Sequence, residues 1–173
     1  MILFAADLGC GHGRNTEKLR HLAKSIDLVD INDSCLEACR RRFGDQLEGC
    51  TFRYHKTSGN QLSTIADRSI TLFYSWDTMV HFDKIVMRDY LGEIARILAP
   101  GGRGFLHYSN LGAERPNSDL TTNHSHRSDM SGELFAQYAA ENKLRIVCHR
   151  VTSKADGVGR DNLDCLTLIE RSG

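Results

Sequence analysis

The chain has 173 residues, 40% hydrophobic and 25% charged, with 22 basic side chains balanced by 22 acidic ones. That length suits a single domain over residues 1–173, with a core large enough to fold without staples or metal. Strand-length apolar runs exclude a membrane-spanning helix, and zero net charge argues against a nucleic-acid binder working through a broad basic surface.

The first residues lack the basic region of a secretory leader. Six cysteines without a Cys-x-x-Cys pair read as small apolar residues in a reducing compartment, so the chain is expected in the cytoplasm.

Apolar runs and helical spacings then alternate. Residues 2–8 form a buried-strand pattern that stops at a glycine cluster, and a short helix is expected from Asn15 to Lys24. Ile26 to Ile31 is the second strand. Asn32 can cap the next helix, whose apolar side carries Leu36, Cys39 and Phe43 and which ends at Gly44. Cys50 to Lys56 and Ser69 to Ser75 are strands. Met87, Tyr90, Leu91, Ile94 and Leu98 recur at helical spacing until Pro100-Gly101-Gly102, and Gly104 to Tyr108 is a fifth strand.

Residues 109–129 show no apolar period and are expected to be a long functional loop or substrate lid. Ser131 caps a helix with Leu134, Phe135 and Tyr138 on its buried side. Arg145 to Thr152 and Leu163 to Glu170 are two last strands with no helix between them. The pattern predicts an α/β, Rossmann-like, doubly wound fold. Its seven-stranded sheet is mostly parallel with an antiparallel last strand, and helices cover both faces.

Ligands in such sheets sit beyond the carboxyl ends of the strands. There the first strand ends in Asp7-Leu8-Gly9-Cys10-Gly11-His12-Gly13-Arg14, and Asp30 closes the second, 30 − 11 = 19 residues after the middle glycine. Glycines let backbone approach a ligand, and an acid at that distance can hold both hydroxyls of a ribose. Arg14 stands where a dinucleotide fingerprint has its third glycine, and Asp7 suits an ammonium better than a pyrophosphate. An adenosine cofactor with an ammonium and no phosphates fits best, and S-adenosylmethionine is one.

The segment 7–14 resembles motif I of the class I S-adenosylmethionine-dependent methyltransferases. Val29-Asp30-Ile31, Ser75-Trp76-Asp77-Thr78-Met79-Val80-His81 and Leu98-Ala99-Pro100-Gly101-Gly102 are similar to later motifs of that family, in its order. Phe105-Leu106-His107-Tyr108-Ser109-Asn110, with His126-Arg127 and Met130-Ser131, resembles a bacterial group associated with glycan or other small-molecule biosynthesis.

The resemblance implies that Asp7 and the backbone of Gly9, Cys10, Gly11 and Gly13 hold the methionine part of S-adenosylmethionine. Asp30 would bind its ribose and Ile31 its adenine, while Ser75 and Trp76 close the pocket near the sulfonium. Ser58 and Gly59 fall where the family often has an acid on the adenine amine, so that contact is expected to be weaker or made by backbone.

In-line methyl transfer to oxygen or nitrogen can use a general base, and His81 and His107 are the candidates, with Asn110, His126 and Arg127 as candidate acceptor-binding residues. His124-x-His126 invites a metal reading, but a solvated loop is preferred and no metal is expected. The chain has neither an Asn/Asp-Pro-Pro-Tyr segment nor a Pro-Cys pair, which argues against DNA bases and for a small polar acceptor, such as a sugar or biosynthetic intermediate.

Family members usually carry helices ahead of the first strand, whereas that strand here begins at Met1. Either the chain is truncated, or residues 109–129 and a partner subunit or second copy cover the acceptor. A non-catalytic cofactor-binding module is therefore the second reading. An NAD-dependent oxidoreductase is the third, and the glycine spacing counts against it.

Overall fold

The computed structural model describes residues 3–117, 126–153 and 162–172. Its first strand, β1 (Leu3–Leu8), alternates Ala5 toward one face and Ala6 and Leu8 toward the other, and each set joins a separate core. The chain then runs α1 (Thr16–Leu19), β2 (Ala23–Asp30), α2 (Asp33–Phe43), β3 (Gln46–Leu47), β4 (Cys50–Lys56) and β5 (Ile70–Ser75). It continues through α3 (Lys84–Ile97), β6 (Leu98–Ser109), α4 (Gly132–Glu141), β7 (Leu144–Thr152) and β8 (Asp164–Arg171), with short 3-10 turns at Met79–His81 and Leu111–Ala113.

Among the described residues the strands form one sheet in the order β3-β4-β2-β1-β5-β6-β8-β7. The pairs from β4 to β6 are parallel, and the last strand, β8, runs antiparallel between β6 and β7. The mostly parallel, doubly wound α/β fold and the antiparallel last strand are as the sequence predicts.

The strand count is not. The sheet has eight strands, because Gln46 and Leu47 fold back antiparallel on Thr51 and Cys50 through a tight turn at Glu48 (φ 48°) and Gly49 (φ 84°). A two-residue strand is too short to show a period.

The first helix also stops at Leu19 rather than Lys24. Ala23 pairs with Leu3 at the start of β2, and Leu22 is 64% exposed. Sheet pairing overrides a weak local preference there. Strand β6 begins at Leu98 and passes through Pro100-Gly101-Gly102, with a register shift against β5 taking up the extra residues.

Helix α3 is the main cover of one face. Asp83 caps it by accepting from the N–H of Ile85 and Val86, and Met87, Tyr90, Leu91, Ile94 and Ile97 are buried against β1, β5 and β6. Burial of each such side chain contributes roughly 1.5–3 kcal/mol. In α4, Ser131 caps Leu134 as expected, and Phe135 stacks on Tyr108 at 4.2 Å between centroids. Phe135 and Ala139 are fully buried, whereas Leu134 and Tyr138 are only half-buried at the rim of that core. The other face packs α2 through Leu36, Cys39 and Phe43 against Ile26, Leu28 and Phe52.

With β2 on one side of β1 and β5 on the other, the chain crosses over in opposite directions from β1. A crevice opens beyond the carboxyl ends of these three strands.

Candidate functional site

The glycine loop leaves β1 as a set of bonded turns. The N–H groups of Gly9 and Cys10 both donate to the Val29 carbonyl, at 2.8 and 3.2 Å, and Gly13 donates back to Cys10. Gly9 has φ +71°, and a Cβ there would lie 2.0 Å from Thr78 Oγ1, so the loop lies hard against the segment after β5. At Gly13 a Cβ would lie 2.5 Å from the Phe43 ring, which seats the loop on α2. Asp30 fastens the middle of the loop. Its Oδ2 accepts from the Gly11 N–H and its Oδ1 from the Asn32 N–H, both at 2.9 Å. A carboxylate has about four lone-pair sites, so these two bonds leave each oxygen able to accept one more.

Beyond the loop lies a cavity of about 250 Å³. Gly9, Asp30, Ile31, Gly59 and His81 line it, so the structure brings five of the predicted residues to one place. Thr57, Asp77, Thr78, Phe82 and Tyr90 line it as well. Ile31 is apolar yet 56% exposed, and its Cδ1 lies 3.8 Å from where a Gly59 Cβ would stand. The two residues bound a slot with an aliphatic wall. Phe82 stacks on Tyr90 at 4.9 Å, and the Tyr90 hydroxyl meets Thr57 Oγ1 at 3.2 Å.

The charged residues of this lining are Asp30 and Asp77, with no Lys or Arg among the described residues there. Such a lining suits a nucleoside cofactor carrying a positive sulfonium and repels a pyrophosphate.

Other predicted residues sit around the cavity without lining it. The Asp7 carboxylate points under the loop, where Oδ2 accepts from Thr16 Oγ1 at 2.6 Å. Burial pushes its pKa up to about 6, aided by the nearby Asp30 and opposed by the Thr16 bond. Cys10 is buried, and its thiol and that of Cys39 both point at the Gly11 carbonyl. Ser58 is exposed on a neighbouring cavity of about 160 Å³, where its Oγ accepts from Gln61. Ser75 Oγ turns back to donate to the Leu8 carbonyl at 3.1 Å, so it ties β5 to β1. Trp76 packs on β6, against His107 at 4.6 Å and Phe105 at 6.2 Å.

Both candidate bases have defined partners. His107 is 3% exposed, and its Nδ1 accepts the Asp77 N–H at 3.1 Å while Nε2 lies 3.1 Å from Asp164 Oδ2. An imidazole that accepts at Nδ1 carries its proton on Nε2. The lone pair is thus engaged by backbone, and His107 does not reach the cavity as a free base.

His81 differs. Its Nδ1 lies 2.6 Å from the His126 carbonyl oxygen. A carbonyl only accepts, so Nδ1 carries the proton and the Nε2 lone pair remains.

Asn110 is also spoken for. Its Nδ2 donates to the Asn162 carbonyl and its Oδ1 accepts the Gly132 N–H. Arg127 is 4% exposed and forks onto Asp164. His124 lies outside the described residues.

Sequence reading missed Thr57, Phe82, Tyr90 and Asp164. Tyr90 looked like one more helical core position, and Asp164 follows a polar turn with nothing to mark it. Asp77 and Thr78 belong to the motif-like segment after the fourth predicted strand, whose sequence alone gives them no individual role.

A family profile described as a methyltransferase domain matches residues 5–102, more than half the chain. No curated protein matches it. Among solved structures, an S-adenosylmethionine-dependent methyltransferase from Methanosarcina mazei is 16% identical with a TM-score of 0.72, and the match covers 97% of this chain and 92% of that one.

Geranyl diphosphate C-methyltransferase from Streptomyces coelicolor, solved with Mg2+, geranyl diphosphate and S-adenosyl-L-homocysteine, is 15% identical with a TM-score of 0.76, over 96% of this chain and 73% of that one. Magnesium protoporphyrin IX methyltransferase from Synechocystis, with bound S-adenosylhomocysteine, is 15% identical with a TM-score of 0.71, over 99% and 74%. These likenesses are to the fold. The profile match, with the motif order, establishes that the chain belongs to the methyltransferase-domain family, and its fold is that of the class I S-adenosylmethionine-dependent methyltransferases.

Proposed function

We propose that the chain transfers the methyl group of S-adenosylmethionine to an oxygen or nitrogen of a small polar acceptor, a sugar or biosynthetic intermediate, with His81 as the general base. The observation that carries this reading is the 2.6 Å contact from His81 Nδ1 to the His126 carbonyl, which leaves Nε2 as the acceptor atom of a residue that lines the cavity. The bound cofactor supplies an electrophilic methyl on a sulfonium whose departure needs no proton.

The chain's own residues align the acceptor and receive its proton. Asp30, already oriented by two backbone N–H groups, uses its remaining lone pairs for the ribose hydroxyls. Ile31 and Gly59 hold the adenine between them, and the glycine backbone borders the methionine part. Asp77 adds negative charge to the lining, which would favour a sulfonium. Phe82 and Tyr90 give the cavity an apolar wall that limits water, which strengthens every interaction there. His81 Nε2 takes the acceptor proton as the new bond forms.

Zero net charge keeps nucleic acid a minor reading. No helix among the described residues is long and apolar enough to cross a membrane. The cysteine usage, six thiols without a Cys-x-x-Cys pair, is what favours the reducing cytoplasm. A homo-oligomer or partner subunit that completes the acceptor side belongs to the same proposal.

The test begins with calorimetric titrations of S-adenosylmethionine, S-adenosylhomocysteine and NAD, and continues with methyl transfer to a panel of sugars, amines and hydroxy acids. Micromolar binding of the first two without NAD is expected. His81→Gln should lower kcat by roughly 10²–10⁴-fold and leave cofactor affinity within about twofold. An unchanged kcat removes His81 as the base. Binding without transfer to any acceptor favours the non-catalytic module instead.

A further inference from the structure

Outside the cavity, β6, β8 and the segment at 126–128 bring a group of charged side chains together in the core. Asp164 begins β8 and is 1% exposed. Its Oδ1 accepts from Arg127 Nε at 2.8 Å and its Oδ2 from an Arg127 terminal nitrogen at 3.0 Å, while His107 Nε2 reaches Oδ2 at 3.1 Å. A buried carboxylate is tolerated only with such partners, and here burial raises its pKa less than the His107 and Arg127 bonds lower it.

Two chains of contacts lead from this acid to the cavity. In one, His107 is held by Asp164 on Nε2 and accepts the Asp77 N–H on Nδ1. That bond falls on a residue in the left-handed region, φ 57°, whose carboxylate lies 3.5 Å from Arg127. Left-handed backbone is uncommon away from glycine and persists when neighbours hold it.

In the other chain, Arg127 anchors its own segment. His126, just before it, is also left-handed at φ 51°, and its carbonyl accepts from His81 Nδ1. The Ser128 N–H donates to the Val80 carbonyl at 2.9 Å, and its carbonyl accepts from Ser109 Oγ at 2.6 Å, so the segment is pinned on both sides of the arginine.

We propose that Asp164 is the positioning residue of the site: it fixes the backbone of Asp77 through His107, and the orientation and tautomer of His81 through Arg127 and the His126 carbonyl. The inference rests on the reading of His81 as the base, but its geometry is independent of the acceptor. The planar fork of Arg127 matters, because a bidentate pair fixes orientation where a single point charge does not. Asp164 acts at a distance. It touches neither the cavity nor anything bound there, so it sets where the proton on His81 resides without exchanging one.

The test is nitrogen-15 NMR of the full chain with labelled histidines, reading the tautomer of the His81 ring. In the unaltered protein at pH above the imidazole range, His81 is expected as the Nδ1–H form. An Nε2–H ring there overturns the proposal without any variant.

Arg127→Met and Asp164→Asn should each return His81 toward the Nε2–H form that free imidazole side chains favour. Both should lower kcat by about tenfold or more while the KM for the cofactor rises by less, through the loosened Asp77, and Arg127→Lys should restore only part of the kcat. Folded variants, by circular dichroism and cofactor titration, that keep the Nδ1–H tautomer refute the positioning role. A normal kcat in His81→Gln beside a shifted tautomer in Arg127→Met would instead sink the base and leave the positioning standing.

Discussion

Asp7 carries a consequence that can be worked in numbers. Its carboxyl is 2% exposed under the glycine loop, and its pKa of about 6 compares with 3.8 for an ordinary aspartate. The folded state therefore binds a proton more tightly than the unfolded chain does. Stability from this group is complete below the unfolded value and is lost as pH rises through the folded one. Between pH ~4.5 and pH ~7.5 the linkage integral for those two pKa values is about 2 kcal/mol, favouring the acid end.

Other buried acids run the opposite way. Asp27 and Asp164 are held below the ordinary range by their His and Arg partners against the upward push of burial, and they cost stability as pH falls. The raw pH profile therefore mixes both signs. The readable quantity is the difference between the protein and Asp7→Asn, an isosteric change that removes the titration and keeps an oxygen for Thr16 to donate to.

Urea unfolding at the two pH values should show the variant gaining about 2 kcal/mol relative to the parent on going from the acid to the neutral condition, whatever its offset at either one. A difference that stays constant within ~0.5 kcal/mol would mean that Asp7 is ionised in the folded protein throughout, and the burial argument would be wrong.

The loop glycines should separate by what stands above them. Gly9→Ala meets Thr78 Oγ1 at 2.0 Å in a left-handed conformation and is expected to lose about 3 kcal/mol in denaturant unfolding, whereas Gly11→Ala, with nothing within 4 Å, should lose only about 1 kcal/mol. Equal losses would remove the close approach to Thr78 as the reason for the difference. Asp30→Ala should raise the calorimetric Kd for S-adenosylmethionine more than ~10-fold, and should also lose about 1–2 kcal/mol of stability because the Gly11 and Asn32 N–H groups lose their acceptor. Unchanged affinity in the folded variant would end the ribose assignment.

How far the sequence could be read depended on whether a residue's partners were local. The apolar run of β1, the spacing of α3 and the Ser131 cap are set within a few residues, and each formed as expected except that Leu98 begins β6 instead of closing the helix. The same holds for the glycine loop and Asp30, since their separation is fixed by one strand–helix–strand unit. The first helix failed where a neighbouring strand decided the outcome, with Ala23 captured by Leu3. Strand β3 failed because two residues carry no period.

For the site, residue type predicted chemistry but not what each atom was already doing. His81 and His107 look equivalent as letters, each following a strand. They differ because a backbone N–H occupies the lone pair of His107, whereas a backbone carbonyl holds the proton of His81. Those two partners come from residues 30 positions before His107 and 45 positions after His81. The resemblance puts Ser75 and Trp76 at the pocket, and Asn110 is a candidate for the acceptor as a polar neighbour of His107, yet their polar groups or rings close on β1, β6 and the chain beside β8.

Asp164 is the limiting case. A single acid after a turn has no local signature, and it becomes identifiable only when β8 inserts between β6 and β7, bringing it beside His107 and Arg127. An antiparallel last strand thus does more than close the sheet. It delivers one buried negative charge behind the segment after β5, and that charge settles which of two similar histidines keeps a lone pair for the cavity.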